Sequence, residues 1–212
     1  MDKAKLTAID IANYFLVLVD REAGDSITNL KLQKLLYFAQ GTSLALFDKP
    51  LFDEDLEAWP HGPVAASAYH KFKIFEIFER IVIPFPAEMD FDLYDETTKS
   101  IIYKVYSTFG EHAASYLRNL SHEHAAWKEA YACNKKTLDR SLIKCDFKKI
   151  FTNNGIQLSE EDKQRIEEAE DEWWMNYDNG EPVEDITDAV NKRIDLFVKD
   201  EEKYRSSFVT KR

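Results

Sequence analysis

The stretch Thr28 to Gly41, TNLKLQKLLYFAQG, decides the fold of this chain. Its apolar residues recur at helical intervals, and an adjacent pair of aromatic residues adds bulk beside the apolar stripe. Thr28 or Asn29 can cap the helix, which could extend to about Phe47 before a proline stops it. The stretch therefore predicts a largely buried central helix. Its polar residues are expected to face solvent: Lys31, Gln33, Lys34 and Gln40.

A second informative stretch, Trp59 to Val64 with the sequence WPHGPV, follows about twenty residues later. Gly62 can take a positive backbone φ, and Pro63 suits the first position of a helix. The stretch therefore predicts a turn that leads into a third helix beginning at Pro63. Neither stretch contains a reacting group.

Local signals place further helices on both sides of these stretches. Thr7 with Asp10 forms a capping pattern for a first helix running to about Arg21. Asp95 caps a fourth helix, which Gly110 ends. Shorter helices are expected over residues 112–119, 125–132 and 139–151.

The remaining N-terminal segments predict a small sheet. Residues 51–59 have a short mixed pattern, and residues 80–85 are a brief β-branched run bounded by prolines. These two segments could pair as an antiparallel ribbon. The predicted fold is thus mainly α, a compact multi-helix domain with a small antiparallel β-ribbon.

The composition changes sharply at the turn-prone residues 152–155, which divide the chain into a domain of residues 1–151 and an extension of residues 152–212. From residue 151 onward the chain has 17 acidic and 9 basic residues, or −8 of the net charge of −11. Two helices with apolar stripes predict an acidic helical hairpin there. Its charge can attract a basic partner or form a solvated face.

The two stretches, with Lys49-Pro50-Leu51-Phe52 between them, resemble the Panacea domain, the family of SocA-like antitoxins also labelled GepA-type phage-associated proteins. A third block, Leu120-Ser121-His122 followed by Trp127, is similar to the family's Thr-His segment, although Ser121 and Ala126 replace the expected Thr and Pro. The resemblance runs from about residue 9 to residue 151. It implies a mostly helical cytoplasmic antitoxin, encoded beside a toxin that it neutralises by direct binding.

Two groups of residues are candidates for partner binding. Trp59, His61, Gly62 and Pro63 form either a packed corner or, with the free amides of helix three, a partner surface. Lys34 of the central helix is a further candidate. Trp173 and Trp174 are adjacent on a predicted helix, so both cannot face one narrow core stripe. At least one of them is expected at an interface, with a partner or with the N-terminal domain.

The sequence lacks the patterns that several function classes require. The histidine and cysteine spacings do not fit a zinc site, no nucleophile elbow occurs, and no glycine-rich loop could hold phosphates. We therefore expect no enzyme, no catalytic residues, no metal and no cofactor. Two cysteines do not make a disulfide framework, and the absence of a signal sequence or of a long apolar run indicates a cytoplasmic protein without a membrane partner.

The alternatives to simple occlusion of a toxin remain open. The chain could be an adaptor that delivers the toxin to a protease, a regulator of its own operon, or an enzyme of unknown activity. The net charge of −11 and the lack of a basic helix argue against nucleic-acid binding. The sequence leaves the oligomeric state undetermined.

Overall fold

The computed structural model describes residues 5–19, 26–73, 80–81 and 89–150, together with 164, 166–168 and 171. The described chain is mainly helical with a small two-stranded antiparallel sheet, as predicted. The elements are α1 Ala8–Val17, α2 Asn29–Phe47, β1 Leu56–Trp59, β2 Gly62–Ala65, α3 Ala66–Phe72, a 3-10 helix Phe91–Leu93, α4 Glu96–Phe109, α5 Ala114–Glu123, α6 Ala125–Ala132 and α7 Arg140–Lys148.

Helix α2 is the centre of the fold. It contacts α1, α3, α4, α5, α7 and β2, and all its residues from Leu32 to Leu44 are buried. The ring of Phe38 stacks on that of Phe109 with centroids 4.5 Å apart. A side-chain carbon on Gly41 would overlap the ring of Phe147, so α7 can lie against α2 only because residue 41 has no side chain.

The helix starts follow the local signals of the sequence. Thr7 and Asp10 form the predicted capping box of α1, and Thr28 and Asp95 cap α2 and α4. Asp139 caps α7. The predicted end of the first helix near Arg21 is wrong, because α1 ends at Val17.

The small sheet is a hairpin of two adjacent segments. Strands β1 and β2 are antiparallel, with Trp59 paired to Gly62 across a two-residue turn. The predicted pairing of residues 51–59 with residues 80–85 is therefore wrong. Arg80 instead forms an isolated antiparallel bridge with Thr28, and residues 82–88 lie outside the described part of the chain.

Pro63 does not begin a helix, in contrast to the prediction. It lies in β2 opposite Ala58, and α3 begins only at Ala66. The positive φ of Gly62, 97°, reverses the chain so that the next residues pair back onto β1. A two-stranded sheet has only edge strands, and an edge tolerates the missing N–H of a proline.

Side chains from other elements cap α3 and α6, which lack a cap of their own. The backbone N–H of Ala65, before α3, donates to Gln33 Oε1 at 3.0 Å. The N–H of Ala126 in α6 donates to the buried Asp146 at 2.8 Å. These bonds satisfy helix-end amides and also fix α3 on α2 and α6 on α7.

The predicted C-terminal hairpin falls almost wholly outside the described residues. Residues 164, 166–168 and 171 are helical, and Ile166 is buried with the core. The turn-prone residues 152–155, Trp173 and Trp174 are not among the described residues, so the division at 151/152 stays a prediction. In the described part of the chain, no helix has the length and apolar character needed to cross a membrane.

Candidate partner-binding site

The three sequence blocks meet in space. Lys34 Nζ of α2 donates to Pro63 O of β2 at 2.8 Å, and Trp127 Nε1 of α6 donates to Trp59 O of β1 at 3.0 Å. We call this place the corner. It consists of Lys34, the hairpin residues Trp59 to Pro63, and Arg118, Ser121, His122 and Trp127 of α5 and α6.

Lys34 is fully buried, so the prediction that it faces solvent is wrong. Burial, with a second contribution from the charge of Arg118, lowers the pKa of Lys34 from 10.5 to about 7. The carbonyl of Pro63 supplies its one hydrogen-bond acceptor among the described residues. The ammonium can stay in the interior because a backbone oxygen replaces part of its hydration.

The glutamines of α2 are also buried, against the prediction that they face solvent. Gln33 accepts from Ala65 N, and Gln40 accepts from Leu51 N at 2.7 Å and donates to Phe52 O at 2.8 Å. These polar groups are inside because the main-chain groups of residues 51, 52 and 65 need partners, and the glutamines supply them. Of the predicted solvent-facing set, Lys31 is half-buried.

Gly62 has two separate reasons to be glycine. Its φ of 97° is in the region that disfavours other residues. In addition, a side-chain carbon at this position would lie 2.7 Å from both Lys34 Nζ and Ser121 Oγ. The hairpin therefore approaches α2 and α5 more closely than any residue with a side chain would allow.

A row of stacked rings borders the corner. His122 stacks on Trp127 with centroids 3.8 Å apart and an interplanar angle of 4°, and Trp127 stacks on Tyr131 at 4.8 Å and 15°. Tyr131 is 47% exposed. Trp59 packs edge-on against Tyr69 at 4.7 Å. The row thus runs from a half-buried imidazole to an exposed phenol.

The predicted site residues differ in exposure. His61 is exposed, Trp59 is half-buried, and Gly62, Pro63 and Lys34 are buried. The structure brings these five together. The suggestion that free amides of helix three face a partner is wrong for Ala65, since its N–H is bonded to a side chain of α2.

Sequence reasoning did not place Arg118, Ser121, His122 or Trp127 among the candidate site residues. Their spacing held a usable signal, because residues three and four apart share a helix face, and 118, 121 and 122 follow that pattern. Ser121 donates to Arg118 O at 2.7 Å within α5. The face they form is the one that meets the hairpin.

The corner gathers basic groups. Burial lowers the pKa of His122, and the charges of Arg118, Lys34 and His61 lower it further. The guanidinium of Arg118 donates to Asn119 Oδ1 at 3.1 Å and, among the described residues, to no carboxylate. His122 Nε2 is buried and has no hydrogen-bond partner in the described part of the chain.

The described residues hold no group of three His, Cys, Asp or Glu side chains that could bind a metal ion. Cys133 and Cys145 are free and exposed. The chemistry that this arrangement offers is recognition through charge, hydrogen bonds and aromatic surface.

Comparison with known proteins agrees with the resemblance. Residues 32–128 match the family model described as antitoxin SocA-like, Panacea domain. This segment is a Panacea domain. It lies inside the range expected from the sequence and includes every corner residue.

A curated relative carries a similar segment. The chain is 41% identical over 73 residues to Antitoxin SocA of Caulobacter vibrioides (strain NA1000 / CB15N). The aligned part covers 34% of this chain and 37% of that protein, so the likeness spans little more than a third of either. No solved structure matches the chain.

Proposed function

We propose that this protein is an antitoxin that neutralises a co-encoded toxin by direct protein–protein binding. The Panacea domain match of residues 32–128 is the observation that carries the proposal, and the relative named as an antitoxin supports it. Binding that blocks the toxin requires no catalytic group in the antitoxin. The proposed place of action is the cytoplasm, where a co-encoded toxin would be synthesised.

We further propose the corner as the surface that contacts the toxin. Trp, Tyr and Arg are the residue types most enriched among the anchors of protein interfaces. Trp59, Trp127, Tyr131 and Arg118 bring these types to one place. The hydrogen bonds from α2 and α6 hold this surface in one conformation, which lowers the entropy cost of binding.

Co-expression with the adjacent gene tests the function. We expect the neighbouring gene product to arrest growth when it is expressed alone, and the pair to restore growth and to co-purify as a stable complex. A harmless neighbour that does not co-purify would contradict the proposal. If growth is restored while the toxin disappears in a protease-dependent manner, the chain acts as an adaptor and not by occlusion alone.

His61→Ala tests the place of contact. Because the imidazole of His61 is exposed on a fixed turn, its loss is expected to change stability by less than about 0.5 kcal/mol. We expect toxin binding to weaken by about tenfold in a calorimetric titration. His112→Ala, which changes another exposed histidine outside the helices and strands, is the control. Equal affinities for the two variants would remove His61 from the contact surface.

A further inference from the structure

The corner gathers four basic side chains, and the guanidinium of Arg118 keeps its positive charge at neutral pH. Lys34, His61, Arg118 and His122 come from three different elements and lie close enough to act on one another. Like charges in one place raise the free energy of the isolated protein. The arrangement is notable because the whole chain has a net charge of −11.

Two acidic side chains beside the corner, Glu57 and Glu123, are already paired. Glu123 binds Lys128 at 2.8 Å. Glu57 accepts from Trp59 Nε1 at 2.9 Å and lies 3.3 Å from Lys136 Nζ. Neither carboxylate is bonded to Arg118 within the described chain. The positive charge of Arg118 is therefore not cancelled by these two carboxylates.

The corner also has unused hydrogen-bonding capacity. Arg118 presents a planar fork of N–H groups, and the described residues occupy it only through the amide oxygen of Asn119. His122 Nε2 is also without a partner there. A carboxylate accepts two parallel bonds from a guanidinium, and such bonds are among the stronger hydrogen bonds in proteins.

We propose that the corner binds a single carboxylate side chain, an Asp or Glu on the surface of the toxin, with Arg118 as its principal contact and the Trp127–Tyr131 stack as the apolar border. This inference rests on the proposed function, since it names the chemistry by which the toxin is recognised. Lys34, being fully buried, acts on the carboxylate through its charge and not by contact.

The net charge of the chain favours the binding of a single carboxylate over the binding of a nucleic acid. A polyanion extends far beyond the corner and meets the acidic remainder of a chain of net charge −11. A single carboxylate interacts over a short distance, because exposed charges farther apart than about 8 Å are screened at about 0.15 M salt. The local positive charge then outweighs the distant negative charge.

Titration of the toxin, taken as the purified product of the adjacent gene, tests the inference. We expect Arg118→Gln to weaken binding by about tenfold or more, because it removes both the charge and the fork. Arg118→Lys keeps the charge without the fork and is expected to lie between wild type and Arg118→Gln. Lys104→Gln removes one positive charge from an exposed position of α4 and is the control, expected to stay within about twofold of wild type.

If the wild type binds the toxin, and Arg118→Gln and Lys104→Gln bind it with equal affinities, the inference is overturned and the proposed function stays intact. Thermal melts of each variant accompany the titrations. If Arg118→Gln fails to fold, Arg118→Lys decides the result, because it retains the length and charge of the side chain.

If no complex forms with the wild type, the proposed function fails, and a probe without the toxin decides the inference. N-acetylglutamate amide, which carries a single carboxylate, is titrated into the full chain and followed by nuclear magnetic resonance. We expect the Arg118 Nε and Trp127 Nε1 signals to shift saturably, and the shift at Trp127 Nε1 to vanish in Arg118→Gln. Shifts produced equally by N-acetyllysine amide or by inorganic phosphate, or no shifts at these two groups, would overturn the inference.

Discussion

Gly62→Val is expected to destabilise the protein by about 3 kcal/mol or more. A β-branched residue at a φ of 97° costs on the order of 1 to 3 kcal/mol in backbone strain. The new side chain also enters the space between Lys34 and Ser121, and overpacking adds about 1 to 3 kcal/mol. Chemical denaturation of both proteins at the same pH measures the difference in free energy of unfolding.

Ala58→Val is the matched control for Gly62→Val. Residue 58 lies in β1 of the same hairpin with negative φ, where a β-branched side chain is favourable. The two costs at Gly62 can be separated with Gly62→Ala in the wild type and in a Ser121→Ala background, because the second background removes one of the crowding atoms. An unchanged stability of Gly62→Val would show that the hairpin does not need glycine here.

The stability of the wild type is expected to rise on the order of 2 kcal/mol between about pH 7 and about pH 9, relative to Lys34→Met. Because the folded chain holds the pKa of Lys34 at about 7 and the ordinary value is 10.5, the unfolded chain binds more protons between these values. Folding releases a proton there, so stability increases with pH, and the gain is lost as pH falls through the folded pKa. The slope of the free energy of unfolding against pH approaches about 1.4 kcal/mol per pH unit.

Lys34→Met keeps an unbranched side chain of similar length and removes the titrating group, so the difference between the two proteins isolates the lysine. The range from about pH 7 to about pH 9 lies apart from the titration of the tyrosines and histidines whose pKa values are shifted. Burial raises the pKa values of Tyr37 and Tyr94, which therefore destabilise the fold above about pH 10, and burial lowers those of His122 and His124, whose effect falls below about pH 6.5. Parallel pH profiles for the wild type and Lys34→Met would mean that folding does not lower the pKa of Lys34.

The parts of the fold that could be predicted depend on neighbours in sequence. Thr7, Thr28 and Asp95 cap helices because a cap reaches amides only two or three residues away. The strand that contains Pro63 was missed for the opposite reason. Proline suits a helix start locally, and only pairing with β1 makes residues 62–65 a strand.

In the candidate site, too, the features set by neighbours in sequence could be predicted, and those set by remote partners could not. Gly62 was singled out because a turn requires its positive φ, and the structure confirms that conformation. The buried positions of Gln33, Lys34 and Gln40 could not be predicted, because polar residues on a helix normally face water and their partners here are remote in sequence. Arg118 was missed because only the packing of α5 on α2 brings its charge close to Lys34.

The buried polar side chains of α2 hold main-chain atoms of the segments around them. Gln33 binds the N–H of Ala65, Lys34 binds the carbonyl of Pro63, and Gln40 binds the backbone of residues 51 and 52. Every residue type offers the same carbonyl, and all but proline offer the same N–H. Among the described residues, the exposed turn residues Pro60 and His61 make no such bond to α2. The sequence of this turn can therefore change without loss of the bonds that anchor its neighbours on α2.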